Sequence, residues 1–253
     1  MTAPVQPGCE PFSASGGPDG VLVLHGFTGS PHSMRPIAEQ LANRGYTVEL
    51  PLLPGHGTAI TDLIPMRWED WSSAAEAAFE DLAARCNRVA VVGLSMGGGL
   101  TAWLAERHPE ITGIAVVNPL VQPIAAELLE AGIQLLDAGL EVVDGIGNDI
   151  AKDGANELSY SGTPLAAAAS LMGGLEDVAA NLPTISCPVL VLTSRQDHVV
   201  TTDNSELLAD RVTGTVEHFW LERSYHVATL DFDADVIEAE TIRFLETIFE
   251  EAA

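Results

Sequence analysis

Short apolar runs recur along the chain and alternate with segments whose apolar residues fall at helical spacing. Runs of this length, bounded by turn residues, are typical of buried strands, and the segments between them are typical of amphipathic helices. Such alternation places parallel strands in one sheet with helices on both faces. The pattern therefore predicts an α/β fold with a mostly parallel central sheet. The predicted strands end at Gly26, Pro51, Ser95, Asn118, Thr193 and Leu221.

One connection is far longer than this alternation requires. A single helix would join the strand ending at Asn118 to the strand beginning at Pro188, yet the chain between them is several times longer. We therefore predict a core of residues 1–119 and 186–253, and a cap insertion of residues 120–185 over one end of the sheet. Glycines interrupt its first half, and each weakens a helix by up to about 1 kcal/mol. The pattern fits a mobile apolar lid and, equally, a helix pair packed rigidly on the sheet. Its apolar positions are Ile124, Leu128, Ile133, Leu136, Leu140 and Val143.

A serine lies in a tight turn between a predicted strand and a predicted helix. Residues 93–97 read Gly-Leu-Ser-Met-Gly, directly after the apolar run at 88–92. Glycine on both sides permits strained backbone angles and close packing. The turn can therefore lift the Ser95 hydroxyl out of the chain beside a helix N-terminus, which favours negative charge. Ser95 is a candidate nucleophile, and the alternative is that it only caps the helix.

A serine nucleophile needs a base, and the base needs an acid that orients it. Enzymes with this turn carry the three groups in the chain order serine, acid, histidine, each just beyond a strand. Asp197 follows the apolar strand predicted at 188–193, and His226 follows the strand predicted at 215–221. We therefore predict Asp197 as the acid and His226 as the base.

Three other residues compete for these two roles. His198 lies one position past the predicted acid. His218 falls inside a predicted strand, where a packed or solvated ring is the usual case. Asp203 could replace Asp197, but it precedes the helix predicted at 205–211 and suits its N-cap.

The loop after the first strand completes the candidate site. The apolar run at 21–24 ends in His25-Gly26-Phe27. In a site of this kind, an amide of that loop and the amide after the nucleophile bind the negative oxygen of the tetrahedral intermediate. We assign this oxyanion hole to the backbone N–H groups of Phe27 and Met96. A plain strand-ending turn would also account for the His-Gly pair.

Together these segments resemble the α/β-hydrolases, and more closely the bacterial monoacylglycerol lipases and their short-chain carboxylesterase relatives. The resemblance covers nearly the whole chain, and its most specific pieces are Gly-Phe-Thr-Gly-Ser at 26–30 and Ser-Tyr-His-Val-Ala-Thr-Leu-Asp at 224–231. It implies an α/β-hydrolase fold with a small cap and hydrolysis through an acyl-enzyme. It also implies the family roles for Phe27, Ser95, Met96, Asp197 and His226.

The resemblance also implies monoacylglycerols as the substrate. Asn-Glu-Leu-Ser-Tyr at 156–160 resembles the cap segment of the monoacylglycerol lipases. The Glu157 carboxylate could accept hydrogen bonds from the two free glycerol hydroxyls, which a triacylglycerol lacks; a solvated loop acid is the alternative. A broad short- or medium-chain carboxylesterase, a thioesterase or a lysophospholipase would share every other residue. A hydrolase-fold receptor or binding protein would keep the fold with little or no turnover.

The negative charge of the chain excludes some classes of binding partner. It has 36 acidic and 11 basic residues, for a formal net charge of −25, and Lys152 is its only lysine. Such a surface repels nucleic acids and anionic membranes, because non-specific binding to either depends on basic groups. A small neutral lipid ester suits it better than an anionic substrate. The scarcity of lysine has two alternative explanations: adaptation of the surface to high salt, or a compositional bias toward arginine, alanine and glycine.

We expect no cofactor, no metal and no stable membrane insertion. Cys9, Cys86 and Cys187 are odd in number and widely spaced, which suits free thiols in a reducing cytoplasm. The first twenty residues lack the basic start and apolar stretch of a secretion signal, and no apolar run approaches the roughly 20 residues of a membrane span. The sequence therefore predicts a cytoplasmic enzyme that meets lipid surfaces only transiently, and it leaves the oligomeric state open.

Overall fold

The computed structural model describes residues 3–145 and 147–252. Positions 1, 2 and 253 of the predicted core and position 146 of the cap insertion lie outside the described residues. The strands of the described chain are β1 (Phe12–Ala14), β2 (Asp19–Leu24), β3 (Thr47–Leu50), β4 (Arg88–Leu94), β5 (Gly113–Val117), β6 (Val142–Asp144), β7 (Gly162–Pro164), β8 (Val189–Ser194) and β9 (Val216–Leu221). The helices are α1 (Arg35–Asn43), α2 (Ile60–Leu63), α3 (Trp68–Ala83), α4 (Met96–Arg107), α5 (Ala126–Asp137), α6 (Leu165–Asn181), α7 (Asp203–Arg211) and α8 (Ala234–Glu251).

Seven of these strands form one sheet in the order β1-β3-β2-β4-β5-β8-β9. From β3 to β9 neighbouring strands run parallel, and within this sheet β1 pairs antiparallel with β3. This arrangement confirms the predicted mostly parallel sheet, and every predicted strand is present. We did not predict β1, because three partly exposed residues give no hydrophobic pattern.

Successive residues of the parallel strands point to opposite faces of the sheet and build two apolar cores. In β4, Val91 belongs to the core shared with α3, α4 and α6, whereas Val92 belongs to the core shared with α1 and α8. Trp71 is fully buried in the first core and Phe244 is buried in the second. Burying a side chain of this size contributes about 1.5–3 kcal/mol. Because the strands between these two cores run parallel, their carboxyl ends lie together at one edge of the sheet. Ligands bind at this edge in open α/β sheets.

The two helices of the cap insertion differ in burial. α6 packs as part of the core, whereas α5 packs on α6 and has no buried residue. Gly139 has a φ of +89° just after α5 and ends the helix. Leu140 and Val143, which we predicted at helical spacing, therefore lie beyond it, and Val143 is in β6. The large apolar side chains exposed in this region are Ile124, Leu128, Ile133, Leu135 and Leu140.

The apolar positions for which we left a lid and a packed helix pair open lie on and around α5, which is on the outside of the molecule. α6, in the second half of the insertion, packs in the core. Within the described ranges, no helix combines the length and the apolarity needed to cross a membrane.

Candidate active site

Ser95 occupies a strained turn between β4 and α4. Its φ of +56° and ψ of −119° lie in a region that residues with a side chain rarely adopt. A Cβ at Gly97 would lie 2.2 Å from the carbonyl oxygen of Leu24, so only glycine lets α4 approach β2 here. Ser95 precedes α4, but its side chain makes no capping hydrogen bond to the helix. The structure therefore does not support the capping alternative. Ser95 instead lines a cavity, which is described below.

Asp197 and His226 meet at the ends of β8 and β9. Nδ1 of His226 lies 2.7 Å from Oδ2 of Asp197, and both side chains are almost fully buried. The other carboxylate oxygen, Oδ1, accepts the backbone N–H groups of Val199 and Val200 at 2.8 and 2.9 Å. Because a carboxylate can only accept, Nδ1 carries the ring proton and Nε2 remains free to accept one. The pair has the geometry of an oriented general base.

Ser95 and His226 line the same cavity, which has a volume of about 230 Å³. No hydrogen bond joins the two side chains directly in the described structure, as is common before substrate tightens a site. Most of the wall is apolar and comes from the cap insertion and from the loop after Asp197. Its apolar side chains include Leu120, Ile124, Leu171, Met172, Val199 and Val200. The hydroxyl and the imidazole therefore face a space suited to an apolar ligand.

The competing residues lie elsewhere. His198 is more than half exposed, and its Nδ1 lies 2.8 Å from Oδ1 of Asp149. His218 on β9 pairs with the hydroxyl of Thr193 at 2.9 Å. Asp203 is the first residue of α7 and accepts a hydrogen bond from a threonine hydroxyl, so our expectation that it caps a helix beginning at residue 205 was wrong. None of the three reaches the cavity.

A buried histidine positions the loop after β2, residues 25–30, which we call the oxyanion loop because it carries the predicted Phe27 donor. Nε2 of His25 accepts the backbone N–H of Leu53 at 3.1 Å, so its Nδ1 carries the proton and donates to the carbonyl oxygen of Gly26 at 3.0 Å. Burial lowers the pKa of His25 to about 4, which keeps the ring neutral at ordinary pH. The peptide between Gly26 and Phe27 is trans, so the Phe27 N–H points away from the carbonyl that His25 holds.

The other amide of the predicted oxyanion hole is set by the helix. Met96 is the first residue of α4, where a backbone N–H has no partner within the helix. The Phe27 ring lines the cavity and packs edge-on against Trp71 at 5.5 Å between ring centres. Gly26 lies beside Ser95, since a Cβ there would be 3.4 Å from the Cβ of the serine. Phe27 thus follows a glycine that lies beside Ser95, and Met96 follows Ser95 directly in the chain.

Glu157 enters the same cavity from the loop between β6 and β7. Burial raises the pKa of its carboxyl group, and the positive charge of His226 and the hydroxyls of Ser33 and Ser159 act in the opposite direction. A Cβ on Gly29 would lie 2.7 Å from Oε1, so the carboxylate rests against the oxyanion loop. A loop acid exposed to solvent does not describe this side chain.

The segment around Glu157 is fastened to the oxyanion loop. The backbone N–H of Tyr160 donates to the carbonyl of Thr28 at 3.0 Å, and the Ser30 hydroxyl donates to the carbonyl of Leu158 at 2.9 Å. The Tyr160 hydroxyl donates to the carbonyl of Gly55 at 2.9 Å. These bonds fix the segment that carries Glu157 against the oxyanion loop.

Sequence reasoning missed three polar residues that hold the loop after β9, which carries His226 and which we call the base loop. They are Asn118, Asp149 and Asp231. Asn118 donates from Nδ2 to the carbonyl of His226 at 2.7 Å and accepts the Ser194 N–H at 2.7 Å. Asp231 accepts the Tyr225 N–H at 2.9 Å. Asn118 at a strand end and Asp231 in the histidine motif had visible signals, whereas Asp149 in the cap insertion had none. Within the described residues, no group of three or more histidine, cysteine or acidic side chains is arranged to hold a metal ion.

Known proteins are similar to this chain over most of its length. The family model described as serine aminopeptidase, S33 matches residues 18–233. A thermostable monoacylglycerol lipase of Bacillus sp. (strain H-257) is 42% identical over 243 residues, which cover 95% of this chain and 96% of the relative. A carboxylesterase of Bacillus subtilis (strain 168) is 30% identical over 241 residues, covering 94% and 97%. A solved structure from work on the metagenome-derived lipolytic enzymes LipS and LipT superposes with a TM-score of 0.92 at 41% identity, covering 96% of this chain and 100% of that one.

Proposed function

The chain belongs to the α/β-hydrolase family of the serine aminopeptidase S33 model, together with bacterial monoacylglycerol lipases and carboxylesterases, and we propose that it hydrolyses monoacylglycerols to glycerol and a fatty acid. It is a carboxylic ester hydrolase. The observation that carries the substrate proposal is the Glu157 carboxylate, which shares a largely apolar cavity with Ser95 and His226.

The chemistry begins at Ser95. Its hydroxyl attacks the acyl carbonyl carbon while Nε2 of His226 takes the hydroxyl proton. Asp197 holds the imidazole in the required tautomer and stabilises the imidazolium that forms. The imidazolium then protonates the leaving glycerol oxygen. Water, activated by the same histidine, releases the fatty acid from the acyl-enzyme.

The negative oxygen of each tetrahedral intermediate is bound by the Phe27 and Met96 amides. One well-aimed donor of this kind contributes about 3–4 kcal/mol to transition-state binding. The role is supported by the His25–Gly26 bond, which holds the peptide before Phe27 beside Ser95, and by the place of Met96 at the start of α4. Both donors are backbone groups, so their placement costs no reorganisation during the reaction.

The substrate fits the cavity in two parts. The acyl chain would lie against apolar side chains of α6 and of the loop after Asp197, such as Met172 and Val200. The two free glycerol hydroxyls would donate to Glu157, and these bonds replace water around a carboxylate that burial already disfavours in its charged form. In diacylglycerols and triacylglycerols, further acyl chains replace one or both of these hydroxyls. Those glycerol oxygens can then no longer donate a hydrogen bond to Glu157.

Two features bear on where the enzyme meets its substrate. We place the enzyme in the cytoplasm, because all three cysteines are free thiols. The exposed apolar residues on and beside α5, including Leu128, suit transient contact with a lipid aggregate, while the strong negative charge opposes stable binding to an anionic bilayer.

A substrate panel tests the proposal. The enzyme is assayed on mono-, di- and triacylglycerols of one chain length, on p-nitrophenyl esters, on a lysophospholipid and on an acyl-CoA. We expect kcat/KM on the monoacylglycerol to exceed that on the triacylglycerol at least about 100-fold, since loss of hydrogen bonds to a buried charged group is costly. Equal rates across all esters would identify a broad carboxylesterase, and binding without turnover would identify a receptor.

A further inference from the structure

Asp149 of the cap insertion contacts two core loops at once. Its side chain is 12% exposed and lines the cavity. Oδ2 accepts the backbone N–H of His226 at 3.0 Å and that of His198 at 3.3 Å, and Oδ1 lies 2.8 Å from Nδ1 of His198. Its own carbonyl accepts the N–H of Val227 at 3.1 Å. One cap residue thus bridges the loop that follows β8 and the loop that follows β9.

These two loops carry the acid and the base. Asp197 lies in the first loop and His226 in the second. Within the core they are joined by the 2.7 Å bond between those two side chains and by the contacts of Asn118, and the loop ends are joined by bonds from Ser194 to the Tyr225 carbonyl at 2.8 Å and from Gln196 to the Glu222 carbonyl at 3.1 Å. A shift of about 1 Å at a reacting group can cost a factor of 100 in rate. The separation of the loops therefore matters, and Asp149 is a residue of the cap insertion whose side chain bonds to both of them.

The cap segment around Asp149 is itself firmly held. Asp231, in the base loop, accepts the N–H groups of Ala151 and Lys152 at 2.7 and 2.9 Å. The neighbouring Asn148 accepts the N–H of Glu157 at 2.8 Å and donates to the carbonyl of Ala155 at 3.1 Å. The segment therefore connects the proposed glycerol-binding residue to the backbone of the base.

We propose that Asp149 is a positioning residue for His226, which keeps the acid and base loops at their working separation and adds a negative charge beside the imidazolium. Among the described residues, the other charged groups around His226 are Asp197 on Nδ1 and Glu157 in the same cavity. Asp231 accepts the N–H of the neighbouring Tyr225, and His198 pairs with Asp149. The role concerns ester hydrolysis as such and does not depend on a preference for monoacylglycerols.

Two substitutions separate geometry from charge. Asp149→Ala removes both. Asp149→Asn removes only the charge, because its oxygen can accept the His226 N–H while its amide group donates to Nδ1 of His198. A matched control is Asp153→Ala, which removes an exposed carboxylate from the same insertion. All variants are assayed on p-nitrophenyl butyrate, which has no glycerol hydroxyls, so the outcome does not depend on the substrate proposal.

We expect Asp149→Ala to lower kcat about 10- to 100-fold with KM changed less than about threefold, because the loss is one of alignment. Asp149→Asn should keep kcat within about fivefold of the wild type. Its kcat/KM should begin to fall at a pH lower by about 0.3–1 unit, because the imidazolium has lost a neighbouring anion. Asp153→Ala should match the wild type in rate and in pH profile.

Two results would overturn the proposal. One is a folded Asp149→Ala protein with wild-type kcat and pH profile. The other is an equal loss of rate and melting temperature in both variants with an unshifted profile, which describes a structural residue only. If Asp149→Ala does not fold, Asp149→Asn decides alone: a shifted acid limb supports the role, and an unshifted one rejects it.

Discussion

The core and the cap insertion build their parts of the site in different ways. The core places Ser95 and the Phe27 and Met96 amides through backbone geometry, in a turn where neighbouring glycines are forced by close packing. The cap insertion contributes two carboxylates, Asp149 and Glu157, from a loop beside a helix that buries none of its residues. The core half therefore depends on its fold, and the cap half depends on individual side chains. Substitutions in the two regions should have separable effects.

The largest expected effect comes from a substitution in the core part of the site. Ser95→Ala should lower turnover of monoacylglycerols and p-nitrophenyl esters alike by about 10⁴- to 10⁶-fold, because the variant has no nucleophile. The melting temperature should stay near that of the wild type. A fluorophosphonate probe should label the wild type once, on Ser95. Labelling of a different serine would refute the assignment.

A pair of histidines supplies the control. His226→Ala should lose nearly as much activity as Ser95→Ala, because the hydroxyl proton then has no acceptor. His198→Ala should lose less than about fivefold, since it removes one partner of Asp149 and leaves the His226 bond intact. An inactive His198→Ala together with an active His226→Ala would reverse the roles of the two rings.

An intermediate effect, confined to one substrate class, tests the cap half. Glu157→Gln should reduce kcat/KM on a monoacylglycerol about 10- to 100-fold, because a hydrogen bond to a charged group contributes about 1.5–3 kcal/mol. p-Nitrophenyl butyrate has no hydroxyls to bind, and its hydrolysis should change little. Equal losses on both substrates would make Glu157 a structural residue of the cap.

The smallest expected effect concerns stability and tests a buried acid of the core. Glu106 on α4 has a side chain only 2% exposed, and its Oε1 has no hydrogen-bond partner. Burial raises the pKa of Glu106 from 4.5 to about 8, against the opposing charge of Arg107. Between these two values the folded protein keeps a proton that the unfolded chain has released. The free energy of unfolding should therefore fall as pH rises through this window.

Glu106→Gln, which mimics the protonated acid, should remove that dependence. At pH 8 the variant should be more stable than the wild type by about 1–3 kcal/mol, the usual cost of a buried unsatisfied polar group. At pH 4.5 the two proteins should be nearly equal. Urea unfolding at both pH values measures the difference, with exposed Glu80→Gln as the control. A wild type whose stability rises from pH 5 to pH 8 relative to Glu106→Gln would contradict this account.

Local patterns were enough to predict the fold and the pairing of Asp197 with His226. The apolar runs predicted the parallel sheet, and the position of Asp197 and His226 just beyond strands predicted that they would meet. The cap insertion was harder, because α5 lies on the surface and its apolar residues continue past its end at Gly139. Asp149 could not be found from the sequence, since its partners are 49 and 77 positions away and no motif surrounds it.

β5 and β8, the strands on either side of the cap insertion, are direct neighbours in the sheet. The insertion is therefore one excursion of the chain that leaves and re-enters the sheet at adjacent places. Doubling the length of such an excursion raises its loop-closure entropy cost by only about 0.6 kcal/mol. α6 is buried in the core, so the stretch open to divergence lies between β5 and α6. We therefore expect relatives to differ most in that stretch, and to keep a hydrogen-bond acceptor where Asp149 joins the two loops.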